Sequence, residues 1–422
     1  MSDNFGKNCK QTRQLSLLNR RHLLGNFGRG ALLLGSTLSF ASLPLFAATK
    51  EAARNNKLVV IILRGGMDGL AAVCPYGDKH VKDLRGPLLP RDDEILKVDN
   101  YFGFHPALMN MAALYQEHEL AVCHAVASPY RERSHFDAQN VIESGFAGPD
   151  ANASGWLNRL LAATASSTMQ SEAIALGQTV PLILRGAAEV GSWTPPVLPA
   201  PSDTTLEKLL ALYARDNFLG PKLAQALDAQ EMVGADMAAA GMSARNRLRR
   251  DDQSLSALVA ACVKFLTSAG GPNVAVMEDS GWDTHANQGA GQGQLARKFA
   301  ALDQALLQLK IGLAATWRHT AVVVVTEFGR TAHVNGTNGT DHGTASVALV
   351  AGGAVNGGRV VGDWPGLGAK DLYQGRDLMP TTDLRSLFKS VLRQHLAVPT
   401  SILDRDVFPG SGSLGELPLI QT

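Results

Sequence analysis

The segment Lys57–Leu63 reads Lys-Leu-Val-Val-Ile-Ile-Leu and runs directly into Arg64-Gly65-Gly66-Met67-Asp68-Gly69. An apolar run without polar alternation predicts a strand buried on both faces, as in the interior of a parallel sheet. The glycines after it predict a turn, with Asp68 just beyond the strand's carboxyl end. Four further runs repeat the pattern: Leu120–Val126, Asn273–Met277, Ala321–Thr326 and Ser346–Ala351. Between 277 and 321, Phe299, Leu302, Leu306, Leu309 and Leu313 recur at spacings of three and four, one face of a helix. Strand–helix–strand alternation predicts an α/β fold with helices on both faces of the sheet.

The chain has 422 residues, 45% of them hydrophobic and 18% charged, which suffices for a large core and excludes a disordered chain. Six of the 39 Lys/Arg but one of the 38 Asp/Glu fall in residues 1–48, so the remainder is mildly acidic. That balance disfavours nucleic acid as a partner. The four cysteines, Cys9, Cys74, Cys123 and Cys262, form no CxxC and are read as buried small hydrophobes.

Residues 1–48 read as an export signal. Arg20-Arg21 precede a weakly apolar run, Ala31–Ala47, which is broken by Ser36, Thr37, Ser39, Ser42 and Pro44. Paired arginines before such a run resemble the twin-arginine (Tat) signal. This implies the Tat export machinery as a partner, a periplasmic or extracellular location, and no stable transmembrane segment after cleavage. Residues 49–422 are read as the mature domain. Residues of about 165–260, with helical segments near Thr205–Arg215 and Pro221–Met242, are read as a helical insertion or cap.

Ligands of open α/β sheets bind beyond the carboxyl ends of the strands, and the polar clusters of this chain fall there. Asp68 follows the first strand. Ser134, His135 and Asp137 follow the second, Asp283 and His285 the third, and Glu327 ends the fourth. Asp341 and His342 precede the fifth. A mixed imidazole–carboxylate set suits one or two divalent ions: zinc, manganese or another hard divalent ion. Asp283 and His285, two apart, face the same way in an extended segment; Asp341 and His342 point oppositely on a strand, whereas in their glycine-flanked loop either both converge or one supports a ligand. Ser134 to Asp137 has the spacing of a capping box. Beside a metal, the Ser134 hydroxyl is equally a candidate nucleophile. Arg64, Arg131 and Arg133 stand near enough in sequence to clamp an anion. There is no G-x-S-x-G elbow and no P-loop.

In this order, Leu63–Leu70, Phe102–Leu108, Ser134–Gln139, Gly281–His285, Thr326–Thr331 and Asp341–Gly343 resemble the Tat-exported bacterial proteins of domain-of-unknown-function family 1501, within the alkaline phosphatase-like superfamily. The resemblance implies a three-layer sandwich on a mostly parallel central sheet and a two-metal site for phosphate or sulfate esters. It implies Ser134 as nucleophile and Asp68, Asp283, His285, Glu327 and His342 at the metals; the reading of the residues themselves adds Asp341 at the metals and Arg64, Arg133 and His135 at the substrate. Two departures stand out: Asp283 and His285 are two apart where the superfamily has Asp-x-x-x-His, and Glu327-Phe328 replaces an Asp-His pair. A single metal, a more oxygen-rich site and a pocket without catalysis are therefore open. The expectation is an exported metal-dependent hydrolase. The alternatives are a non-catalytic relative that binds an anionic ligand, glycan or protein, and a metal-site redox enzyme.

Overall fold

The computed structural model describes residues 55–164, 173–195, 203–233 and 252–421. The export signal read at 1–48, Cys9 and the end of the helical segment read at Pro221–Met242 lie outside them.

Nine strands form the central sheet: β1 Lys57–Arg64, β2 Leu120–Ala127, β3 Ala173–Leu176, β4 Gly191–Trp193, β5 Val274–Ser280, β6 Thr320–Thr326, β7 Ser346–Ala351, β8 Arg359–Val361 and β9 Thr382–Asp383. Their order is β8-β2-β7-β6-β1-β5-β3-β4, with β9 also paired to β2. β1 lies parallel to β5 and β6, with Leu63 opposite Asp279 on one side and Thr326 on the other. β3 is parallel to β4 and β5, and β8 and β9 are parallel to β2. β7 runs antiparallel to both β2 and β6. The loop entering β7 therefore reaches the same rim as the loops leaving β1, β2, β5 and β6.

The principal helices are α1 Met109–Gln116, α2 His135–Ser144, α3 Trp156–Thr164, α4 Asp203–Tyr213, α5 Leu219–Val233, α6 Asp252–Thr267, α7 Gln294–Leu313 and α8 Leu384–Leu396. Side chains alternate across β1. Val59, Ile61 and Leu63 pack with Met111 of α1, Val259 of α6 and Phe299 of α7. Leu58, Val60 and Ile62 pack with Trp156 of α3 and Leu387 and Phe388 of α8. The fold is a three-layer α/β sandwich on a mostly parallel sheet. The segment read as a helical insertion holds α4 and α5, but it also supplies the last two strands on one side of the sheet, β3 and the edge strand β4. These are only four and three residues long, too short for alternation to register in sequence. Cys74, Cys123 and Cys262 are buried and unpaired. Among the described residues no helix is long and apolar enough to cross a membrane.

His124 in β2 is wholly enclosed. Its Nε2 donates to the Val73 carbonyl at 3.0 Å and its Nδ1 accepts from the Ala125 amide at 2.9 Å. Burial pushes its pKa from 6.5 down to about 4. The unfolded chain takes up this proton first as pH falls. Its contribution to stability is thus complete above pH 6.5 and is lost on the way to about 4. Going from pH 7 to 5 is expected to cost about 2 kcal/mol through this group. Urea unfolding at both pH values checks this: His124→Gln should remove that much of the pH dependence, and an unchanged dependence contradicts it.

Candidate metal centre

Four loops at one rim build the site. The loop after β2 ends at Ser134, and His135 opens α2. The loop after β5 carries Asp283 and His285, Glu327 follows β6 directly, and Asp341 and His342 lie in the loop entering β7. Gly65 lets the turn after β1 approach: its φ is +122°, and a Cβ there would meet the Asp283 amide at 2.6 Å.

His135, Asp283 and His342 present ligand atoms within 4.8 Å of one another. His342 Nε2 lies 3.0 Å from His135 Nε2, 3.0 Å from His285 Nε2 and 3.2 Å from Asp283 Oδ1. His285 Nε2 is 3.0 Å from the same carboxylate oxygen, and His135 Nε2 is 3.6 Å from Asp283 Oδ2. Ligands about 2.0–2.1 Å from a tetrahedral ion stand roughly 3.3–3.4 Å apart, so these separations match a metal set.

The outward nitrogens settle the tautomers. His135 Nδ1 donates to Glu327 Oε1 at 2.8 Å, His285 Nδ1 to Asp341 Oδ1 at 3.1 Å, and His342 Nδ1 to the Arg133 carbonyl at 3.1 Å. A neutral imidazole has one N–H. With each proton on Nδ1, three Nε2 lone pairs point at each other and at a carboxylate. A cation or a proton among them relieves the repulsion, and outward hydrogen bonds of this kind are how proteins orient metal-binding histidines. His135, Asp283 and His342 fit a single divalent ion, with His285 beside Asp283 and His342.

Electrostatics agree. Burial alone would raise the Asp283 carboxyl, but the Arg330 guanidinium, with His285 and His342, outweighs it and holds the pKa below the usual value. Burial likewise works to raise Glu327, and hydrogen bonds, the one from His135 foremost, bring it below normal. The Glu327 bond in turn raises His135, whereas burial lowers His342. The Phe328 ring lies 4.8 Å from that of His135 and 4.9 Å from that of His342, an apolar floor. Asp283 and His285 remain 42% and 44% exposed, so the centre opens to solvent on their side. There it adjoins a cleft of about 420 Å³ lined by Arg133, His285, Asp341, His342 and Arg376. A larger cavity, about 890 Å³ beside β3 and α5, is lined chiefly by small and apolar side chains and contains no histidine.

The structure thus brings Asp283, His285 and His342 together and adds His135, which the sequence reading placed at the substrate. Glu327 and Asp341, read as metal ligands, instead hold the outer nitrogens of His135 and His285. Asp68, also read as a ligand, is fully buried elsewhere. It pairs with Arg85, accepts from Gln288 Nε2 at 2.7 Å and caps the short helix Gly69–Ala72. Arg64 clamps no ligand, because its guanidinium lies between Glu143 and Glu278. Arg131 is turned onto the Ser128 and Tyr130 carbonyls. The capping box does not form: Ser134 stands at the N-cap without a side-chain cap bond, and Asp137 accepts from the Tyr130 hydroxyl at 3.0 Å. Arg330, Phe328, Arg376 and Asp377 were missed as site residues. For Arg330 a signal existed in the Glu327-Phe328-Gly329-Arg330 motif.

Fold and site together define an α/β protein with a histidine-rich candidate metal centre at the carboxyl rim of its sheet. The chain belongs to the family described as Protein of unknown function (DUF1501), whose family model matches residues 97–404. No curated protein matches it. Among solved structures it is similar to the C-terminal periplasmic domain of EcEptC from Escherichia coli, in complex with Zn, at 10% identity and TM-score 0.35, covering 71% of this chain and 74% of that one. It is also similar to the phosphonate monoester hydrolase of Agrobacterium radiobacter, at 11% identity and TM-score 0.37, covering 81% and 74%. Likenesses of this extent leave the chemistry to the site itself.

Proposed function

We propose that the protein is an exported, metal-dependent hydrolase of phosphate or sulfate esters. The observation that carries this reading is the convergence of three Nδ1-anchored imidazoles and Asp283 beside a cleft with two arginines. A divalent ion held there would polarise an ester oxygen and lower the pKa of water towards neutrality. The chain's own groups do the rest. Glu327, Asp341 and the Arg133 carbonyl fix the three rings, Arg330 keeps Asp283 ionised, and Arg133 and Arg376 offset the charge of an anionic ester. Export rests on the basic and apolar pattern of residues 19–47.

The attacking group this geometry favours is water rather than Ser134. The Ser134 hydroxyl makes no cap bond, and among the described residues no base is hydrogen-bonded to it. The Tyr130 phenol, four residues before it, donates to Asp137, and burial and this bond raise its pKa, so it stays protonated near neutral pH and does not take the serine proton. Hydrolysis of aryl phosphates and aryl sulfates by zinc- or manganese-loaded protein tests the proposal. Turnover should vanish with a chelator, and Ser134→Ala should keep it within about threefold. A loss on the order of a hundredfold in Ser134→Ala returns the attack to the serine, since removal of a nucleophile costs far more than removal of a bystander. A metal-loaded protein inert towards both esters favours a binding role.

A further inference from the structure

The cleft wall facing the imidazoles is built beyond what a metal centre requires. Leu372–Tyr373 and Asp377–Leu378 pair as a hairpin. Its loop is Gln374–Arg376, and Gln374 and Gly375 both take left-handed φ, +55° and +65°. Arg376 follows the tip with its backbone fixed: its N–H donates to the Tyr373 carbonyl and its carbonyl accepts from the Ala332 amide. The wholly buried Asp377 takes Arg133 Nε at 2.9 Å, Arg376 Nη1 at 3.1 Å and the Thr344 hydroxyl at 2.8 Å. Arg133 Nη2 donates to Gln374 Oε1 at 2.8 Å. Among the described residues, Arg133 Nη1 and Arg376 Nε and Nη2 have no hydrogen-bond partner, and both residues line the cleft. Arg133 moreover sits at φ +58°, a strained conformation for a residue with a Cβ. Its carbonyl is the one that orients His342. One strained residue therefore serves both the ring and the cleft wall.

We propose that Arg133 and Arg376, locked by Asp377, form a fork for the non-bridging oxygens of a tetrahedral oxyanion. The substrate is then a phosphate or sulfate monoester rather than a diester. This rests on the hydrolase reading and narrows it. A monoester presents three non-bridging oxygens, enough for two guanidiniums and the metal centre, whereas a phosphodiester presents two. Planar guanidiniums held at a fixed angle suit such oxygens, and a buried carboxylate behind them fixes both planes without cancelling both charges.

Calorimetric titration with inorganic phosphate, sulfate and dimethyl phosphate tests the fork, run on zinc-loaded and on chelator-treated protein beside a zinc titration and thermal unfolding. Phosphate or sulfate should bind at least about tenfold more tightly than dimethyl phosphate, and the tighter of the two identifies the ester class. Arg376→Ala should weaken that binding about tenfold or more, the scale of a charge-assisted hydrogen bond. Zinc affinity and Tm should stay unchanged. Arg376→Lys should restore only part of the binding, because an ammonium lacks the fork. No oxyanion binding, equal affinity in Arg376→Ala and wild type, or dimethyl phosphate binding as tightly as phosphate overturns the fork and leaves the hydrolase reading to its own test. Oxyanion binding that depends on Arg376 in a protein that takes up no zinc supports the fork and removes the hydrolase reading.

Discussion

His342→Ala should lower zinc affinity by about a hundredfold or more, measured by competition with a chromogenic chelator. Its Nε2 is the hub of the cluster, within 3.2 Å of His135, His285 and Asp283. Removing it takes away the one nitrogen that lies within ligand distance of all the other donors, so the remaining side chains no longer close around a single point. Glu327→Gln should cost less, about tenfold to a hundredfold, because it disturbs only the partner that orients His135. Esterase turnover should fall with metal occupancy in both variants. Equal zinc affinity in His342→Ala and wild type would remove the cluster from the account. The fold should survive the substitution, since His342 lies on a rim loop and carries none of the core.

The second large effect is on stability. Arg85→Met should destabilise the protein by about 3–5 kcal/mol, read from urea unfolding, because it strands a buried carboxylate. Arg85 and Asp68 are 2% and 0% exposed. Burial alone would raise the Asp68 carboxyl, and Arg85 outweighs it to keep the acid ionised. Adding Asp68→Asn should recover part of the loss, since a neutral amide needs no counter-ion, and this non-additivity is the signature of the pair. The same change should weaken metal binding modestly. Gln288 donates to Asp68 and accepts from the Thr284 and Thr340 hydroxyls at 2.8 Å each, and so ties together the loops that carry His285 and His342. A loss below about 1 kcal/mol would mean that the pair contributes no more than a surface contact.

These two sites show what the sequence could and could not convey. The apolar runs at 57–63, 120–126, 273–277, 321–326 and 346–351 coincide with sheet strands to within a few residues, because a strand buried on both faces leaves an unbroken record. β3, β4, β8 and β9 have two to four residues each and leave none. At the site, residue types and positions after strands brought Asp283, His285 and His342 into view. Whether a carboxylate meets an ion or an imidazole Nδ1 depends on a few ångströms of loop path, which spacing does not encode, so Glu327 changed roles and Asp341 took the supporting one of the two left open for its loop. Charges misled where a partner was distant: Arg85 neutralises Asp68 from a helix the motifs did not touch, and Glu143 and Glu278 occupy Arg64. Arg376 and Asp377 escaped notice because they follow the last long strand and belong to a hairpin whose only signal is Gln374-Gly375.

X-ray absorption of the zinc-loaded protein tests the metal centre most directly. The account predicts one ion per chain with three imidazole nitrogens and one carboxylate oxygen, at about 2.0–2.1 Å. A first shell of oxygens alone, or an unaltered spectrum when His135, His285 and His342 are each replaced, would contradict it.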